Sequence, residues 1–371
     1  MLYQKRKIAI LMLVILTVTL IFSGCKTPEQ EESAEVDDYI EGAAAPEASG
    51  DLPEKVEASE VVAEAPENTV TDDPEPAEPE QEQPADSQEP ESSEKPEETP
   101  AEDDSAEITY KEENFLKILD YNIRCADDGE GKMIADRAPR FKKLVEKYQP
   151  DLMGLQEASP KWIDYLSQNL VGSTYSMKYQ YRAEDSKEAQ PILWNKNKFE
   201  VLDDGYFWLS DTPEVASKGW GSDHYRGCTW IKFKVKATGE IFIFMNTHLT
   251  GTNTASTNSA NLITKRAAAM GGFDDHAVFL TGDFNLPPHS VGYITLTSAF
   301  VDVNDALGFN SAYTNNGYND REDKHKDNWI KDYVMCSEAH VLPLKYSVLN
   351  ENIDGGWISD HRGLYVEAAL Y

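Results

Sequence analysis

Residues 277–285 read AVFLTGDFN. Ala277-Val278-Phe279-Leu280-Thr281 has the length and apolar character of a buried strand, and it leads straight into Gly282-Asp283-Phe284-Asn285. An acid and an amide at one strand end mean little alone, but the arrangement recurs. Phe115-Leu116-Lys117-Ile118-Leu119 leads into Asp120-Tyr121-Asn122, and Asp151-Leu152-Met153-Gly154-Leu155 into Gln156-Glu157. Ile241-Phe242-Ile243-Phe244-Met245 leads into Asn246-Thr247-His248-Leu249. Asp332-Tyr333 opens a further strand, and Ser359-Asp360-His361 precedes the last one. Carboxylates, amides and imidazoles gathered at one end of several strands make a single site suited to a hard cation and a phosphate.

Outward from these runs, strands and helices alternate. The pattern predicts strands at 115–121, 151–156, 191–194, 200–209, 229–235, 241–246, 276–281, 332–336, 341–349 and 363–370. Helices are expected at 135–148, from Ser159-Pro160 onward, at 256–270 and at 289–298. Many strands, few helices and hairpins between them indicate an α/β protein with two mixed sheets and helices packed outside. The interval from Asn122 to Glu157 equals that from His248 to Asp283, which hints at two similar halves.

LDYNIR, GLQE, NTHL, TGDFN, DYV and SDH, in this order, resemble the endonuclease/exonuclease/phosphatase superfamily, the DNase-I-like fold. The resemblance runs over residues 114–371. It implies a four-layer αββα sandwich and phosphoester hydrolysis with Mg²⁺, Mn²⁺ or Ca²⁺ being the alternatives. It also implies roles. Glu157 is the main metal ligand, with Asn122 and Asp360 close to the ion. Asp283 orients and deprotonates the attacking water, and Asn285 holds the nucleophile or a phosphoryl oxygen. His361, held by Asp332, stabilises the transition state as imidazolium. His248 contacts the phosphate from the other side, as electrostatic stabiliser or as leaving-group acid.

Outside these motifs, His276, His289, His325 and His340 are read as structural or solvated, with His289 capping a helix. Arg124 lies two residues beyond Asn122 on the same face of an extended segment, and Arg226 opens a strand. Both are candidates for substrate phosphate, and Arg137, at a helix start, is a weaker one. Cys125, Cys228 and Cys336 show no CxxC spacing, so a thiolate zinc site is not expected. Buried thiols are the default, and a Cys125–Cys228 disulfide stays open.

The flanks differ sharply from this body. Lys5, Arg6 and Lys7 precede an apolar run from Ile8 to Phe22 that is short for a membrane span. It ends Phe22-Ser23-Gly24-Cys25, which resembles a bacterial lipobox, so residues 1–25 are expected to be a lipoprotein signal with Cys25 lipidated. An uncleaved signal anchor is the rival. Either way the body is expected outside the cytoplasm, on the extracellular face of the membrane. Residues 26–110 hold 30 acids against three lysines and 11 of the 19 prolines, the composition of a solvated, disordered tether. As a coil it would span ~50 Å or more.

Residues 111–371 form the catalytic domain, taken as monomeric. Their 36 acids against 28 bases give a net charge of −8. This weighs against a nonspecific duplex-DNA binder. Thr250 to Asn261, read as a loop, carries no Lys or Arg. Neutral polar loops suit a small sugar or inositol phosphate, or a phosphorylated lipid head group. An extracellular endonuclease acting on nucleic acid is the rival enzyme. A catalytically inactive binding module is the rival of another class.

Overall fold

Phe115–Asn122 forms β1 and Leu152–Gln156 forms β2, with helix α1 (Ile134–Tyr148) crossing between them. The computed structural model describes residues 108–251, 253–309, 313–315, 317–318 and 330–371. The leader with Cys25, residues 26–107 of the tether, and His325 lie outside the described residues. Helix α2 (Pro160–Asn169) follows, then β3 (Tyr175–Lys178), β4 (Ile192–Asn195), β5 (Phe199–Trp208), β6 (Gly227–Val235) and β7 (Ile241–His248). Helix α3 (Asn253–Ala269) leads to β8 (Ala277–Asp283), α4 (Val291–Thr297), β9 (Val301–Asp302) and α5 (Val303–Ala306). The chain closes with β10 (Asp332–Cys336), β11 (Val341–Leu349) and β12 (Gly363–Leu370).

The strands make two mixed six-stranded sheets, in the orders β11-β12-β1-β2-β4-β3 and β5-β6-β7-β8-β10-β9. In each sheet the parallel pair at the centre belongs to a β–α–β unit, β1-α1-β2 and β7-α3-β8. The registers place Asn122 beside Gln156 and His248 beside Asp283. The two units share their β–α–β connection but not the equal interval: Asn122 is paired with Gln156, one residue short of Glu157, whereas His248 is paired with Asp283 itself. Parallel strands end on the same side, so each unit delivers its polar strand ends to one edge of its sheet.

The facing surfaces of the sheets are filled by aromatic side chains. Phe233 lies 5.3 Å from Phe242 and 5.6 Å from both Phe199 and Trp194, centroid to centroid. On the outer face of the first sheet, α1 and α2 bury Phe141, Leu144, Trp162 and Leu166. On the outer face of the second, α3 and α4 bury Ala260, Ile263, Ala267 and Leu296. Helix, sheet, sheet, helix are thus the four layers expected, and each fully buried aromatic contributes roughly 1.5–3 kcal/mol through apolar burial.

Towards the site the filling between the sheets turns polar. Gln156 Nε2 donates to Asp120 Oδ1 at 2.7 Å and to Asn246 Oδ1 at 2.8 Å. Asn246 Nδ2 donates to the carbonyls of Leu155 and Pro191 at 2.8 and 3.0 Å. The two sheets come so close here that a Cβ at Gly154 would collide with Thr281 Oγ1 and Asn246 Oδ1, so only glycine fits.

Three expectations need correction. Thr250 to Asn261 is not a loop, because α3 already runs from Asn253. Its Thr, Asn and Ser residues have weak helix propensity and hide the helix start. His289 does not cap α4: Ser290 does, its side chain accepting from Tyr293 N, while His289 sits at φ 70° ahead of it. Strands β3 and β9 and helix α5 were not foreseen. The default for the cysteines holds: Cys125, Cys228 and Cys336 are free thiols, Cys125 half-buried and the other two buried, with their pKa pushed up by that burial.

Candidate active site

Asn122 ends β1 and Glu157 follows β2 directly, with a left-handed φ of 59°. Non-glycine residues avoid this region unless their surroundings hold them in it, and such strain gathers at functional sites. Two hydrogen bonds hold Glu157: Asn122 Nδ2 donates to Oε1 at 2.9 Å and Cys125 N to Oε2 at 3.0 Å. Burial works to raise its pKa, but these two donors together with the charges of His361 and Arg124 outweigh it and bring the value down to about 2. Glu157 is therefore an anion at any physiological pH.

Asp283 ends β8 and is the hub of the site. Its Oδ2 accepts from Asn122 Nδ2 at 2.9 Å and lies 3.6 Å from His248 Nε2 and 3.7 Å from His361 Nε2. Its Oδ1 accepts from Asn285 N at 2.9 Å. Burial, then the negative charge of Asp332, raises its pKa to about 6, against a smaller opposing pull from His361. A carboxyl group poised near neutrality suits a general base.

His361 Nδ1 donates to Asp332 Oδ2 at 2.8 Å, and the side-chain amide of Asn315 lies 3.0 Å from its Nε2. Burial works against the charged ring, but Asp332 and then Asp283 overcome it and lift the pKa to about 10. His248 has the opposite fate. Burial first, then the charges of Arg226 and Arg182, push its pKa well below the usual histidine value. Asn285, at φ 50°, places its Nδ2 3.0 Å from His248 Nε2 and donates to the Leu249 carbonyl at 3.2 Å.

All eight residues proposed for catalysis and metal binding, from both sheets, thus converge on one end of the sandwich. Asp360 stands at the rim, half-buried, with Oδ2 3.8 Å from Arg124 Nε. Arg124 also pairs with Asp128 at 3.2 Å. Arg226 lies beside the same cleft: its Nε is buried and has no hydrogen-bond partner among the described residues. Burial, then Arg182, lowers its pKa to about 10, and the charges of Glu188, Asp283 and Glu157 act on it in the other direction.

Arg137 is not a substrate contact. Its guanidinium is fully buried and donates to the carbonyls of Ile123, Arg124, Ala126, Lys132 and Ile358. It ties the loop after Asn122 to the segment before Asp360, a task that a helix-start position does not advertise. Arg182, Glu188 and Gln190 were also missed. They lie between β3 and β4, where no periodic pattern marks a residue as inward-facing.

The donor chemistry fits a hard dication. Glu157, His248 and Asp283 offer ligand atoms close to one another, whereas the charged His361 has no free ring nitrogen for an ion. The ionised Glu157 and Asp360 both act on the Arg124 guanidinium, so their charges share one space at the rim. Oxygen donors with anionic charge match Mg²⁺ better than a softer metal.

Two six-stranded sheets flanked by helices, with acid, amide and imidazole groups at one end, define a DNase-I-like protein. Residues 121–361 match the model of the endonuclease/exonuclease/phosphatase family. The chain belongs to that family. It is similar to an endonuclease/exonuclease/phosphatase family protein of Bacteroides thetaiotaomicron, with 27% identity and a TM-score of 0.62 over 69% of this chain and 95% of that one. It is likewise similar to a mannosyl-6-phosphatase from the same species, with 27% identity and a TM-score of 0.60 over 69% of this chain and 100% of that one. An uncharacterised protein of Acanthamoeba polyphaga mimivirus is 24% identical over 237 residues, 59% of this chain and 85% of that one.

Proposed function

We propose that the protein is a metal-dependent phosphoesterase that hydrolyses small phosphorylated compounds, sugar phosphates foremost, on the outer face of the membrane. One observation carries the reaction: Asp283 Oδ2 stands among Asn122, His248 and His361 with a pKa of about 6. Members of the family are phosphoester hydrolases, and this arrangement supplies what the reaction needs.

Asp283 takes a proton from the attacking water. His361, charged and braced by Asp332, donates from Nε2 to the phosphoryl oxygens where negative charge grows. Asn285 orients the same group. Glu157 and Asp360 would hold Mg²⁺, with Asn122 keeping Glu157 in place. When bound, the ion supplies Lewis-acid charge neutralisation at the phosphate. Arg226 and Arg124 are the cations a substrate phosphate would meet, Arg124 by exchanging its pairing with Asp128.

Two observations favour a small substrate. The similar mannosyl-6-phosphatase is matched along its whole length. The body carries a net charge of −8, which repels a polyanion at long range. The location rests on the leader ending at Cys25 and the acidic stretch 26–110.

Turnover by the full chain with Mg²⁺ tests the reading, on hexose 6-phosphates, inositol phosphates, vesicles with phosphorylated head groups, and plasmid DNA. The highest kcat/KM is expected on a small ester, with loss of activity in EDTA and return with Mg²⁺. Rapid plasmid nicking without turnover of the esters makes the protein a nuclease, and inertness on all of them makes it a binding module. Wild type is expected to incorporate labelled fatty acid and Cys25→Ala to lose the label. Equal labelling of both refutes lipidation at Cys25.

A further inference from the structure

Arg182 stands between the catalytic end of the sandwich and a carboxylate that the reaction does not use. The residue is 3% exposed, with Nη2 3.0 Å from His248 Nδ1 and Nη1 2.7 Å from Glu188 Oε2. Glu188 thus lies one guanidinium away from His248. With the Gln190 amide oxygen turned towards Arg182, Gln190 accepts from Nε at 2.7 Å and from Nη2 at 2.9 Å. The backbone is held as firmly. Arg182 N donates to the Glu188 carbonyl at 2.9 Å, and Ala158 and Ala189 exchange hydrogen bonds at 3.1 and 3.0 Å. Ala158 follows Glu157 and Ala189 follows Glu188, so the segment carrying Glu188 is pinned to the strand end that carries Glu157.

The Glu188 side chain is 29% exposed. Its other oxygen, Oε1, accepts no hydrogen bond among the described residues. The carboxylate acts on Cys125, His224 and Arg226, which places it in the cleft between the loop after Asn122 and the start of β6. The cleft therefore offers two unlike groups side by side. Arg226 is a cation whose Nε has no hydrogen-bond partner among the described residues, and Glu188 is an anion with an oxygen to spare. A phosphate fits the first and is repelled by the second. A hydroxyl group fits the second, because it donates a charge-assisted hydrogen bond to a carboxylate. A ligand with a phosphate and, next to it, hydroxyls satisfies both, and a ligand with another phosphate in that place does not.

We propose that Glu188, held in place by Arg182, is a specificity-determining residue that accepts a hydrogen bond from a hydroxyl on the alcohol portion of the substrate. It selects polyhydroxylated monoesters, the sugar phosphates, over esters with a second anionic group. This rests on the phosphoesterase reading above.

Kinetics on the full chain with Mg²⁺ test this, on glucose 6-phosphate, its single-deoxy analogues and p-nitrophenyl phosphate, whose alcohol portion has no hydroxyl. In wild type, one deoxy analogue is expected to have a kcat/KM ~10-fold or more below that of the parent, the loss of one hydrogen bond to a charged group. In Glu188→Ala that penalty should shrink to about threefold or less, and the loss on glucose 6-phosphate should be ~10-fold greater than on p-nitrophenyl phosphate. A deoxy penalty of the same size in wild type and variant, or equal losses on the two esters, overturns the proposal.

Glu188→Gln keeps an oxygen for Arg182 but drops the charge, and it decides the matter if Glu188→Ala does not fold. It is expected to raise kcat/KM on glucose 1,6-bisphosphate relative to glucose 6-phosphate by ~3–10-fold, and an unchanged ratio refutes selection against a second anion. If wild type turns over no ester, the phosphoesterase reading fails, and calorimetric titration still decides on Glu188. Glucose 6-phosphate is then expected to bind wild type ~10-fold more tightly than inorganic phosphate does, with a smaller margin in Glu188→Gln. Equal affinities in wild type overturn the proposal.

Discussion

His361 and His248 flank the same oxygen of Asp283 at nearly equal distances, 3.7 and 3.6 Å, and both rings are buried. Their charges are nevertheless opposite in tendency. Behind His361 stands a carboxylate, Asp332; behind His248 stands a guanidinium, Arg182. Burial penalises the charged ring in both cases, so burial does not separate them. The neighbouring charges do: Asp332 and Asp283 at His361, Arg226 and Arg182 at His248. One ring becomes a fixed cation and the other stays uncharged, and the reacting phosphate would meet two different faces.

Removing the shared carboxylate is the most severe way to disturb this pair. Asp283→Asn is expected to lower kcat/KM by ~10²–10⁴-fold, because neither histidine can replace the base. Full activity in that variant, measured with Mg²⁺ on the best small ester, would exclude the mechanism.

Next in size is the effect of making the two rings alike. His361 is needed protonated, so the rate falls on the alkaline side as pH rises through its pKa of about 10. Asp283 is needed deprotonated, so the rate climbs on the acid side through about 6. Asp332→Asn removes the charge that sustains His361, and its pKa should drop towards the ordinary value. The alkaline limb then moves to lower pH, with a loss of ~10-fold or more at pH 9 and much less at pH 6.5. An unmoved alkaline limb in the pH–rate profile would show that Asp332 does not set that charge.

Glu157 is hydrogen-bonded to neither ring and should act through the metal. Glu157→Gln is expected to raise the Mg²⁺ concentration for half-maximal activity by ~10–100-fold while leaving both pH limbs near their wild-type positions. A shifted limb with unchanged Mg²⁺ demand would reverse that assignment.

The smallest effect is on stability and has the opposite sign to the loss of activity. Asp283 binds its proton more tightly when folded than when unfolded. Its charge therefore costs stability as pH rises from the unfolded value through about 6, and the cost is complete above that. In EDTA at pH 8, Asp283→Asn should stabilise the fold by roughly 1–3 kcal/mol, and at pH 4 by almost nothing. Urea melts at the two pH values would measure the difference. Equal gains at both would mean that packing, not charge, is responsible.

How far the sequence foretold these residues depends on where they sit. Asp283, Glu157 and His248 terminate strands whose apolar runs are unmistakable, so their position and company could be read directly. Arg182 could not: it contacts His248 across 66 residues from an irregular segment in which nothing fixes side-chain direction. Arg137 has the spacing of an ordinary helical residue, and only the folded loops reveal that five carbonyls surround it. The start of α3 was masked by residues that favour turns, and β9 has two residues, too few for any alternation to show.

The pairing of β1 has a consequence for biosynthesis. β1 lies at the centre of the first sheet, yet one of its two neighbours is β12, with Phe115 opposite Ala369 and Asp120 opposite Leu364. On the ribosome β1 emerges before every other strand, and the one that closes its open edge follows all of them. Asp360 and His361 arrive with that strand. Until that strand has been made, β1 has an unpaired edge and the candidate site lacks both residues.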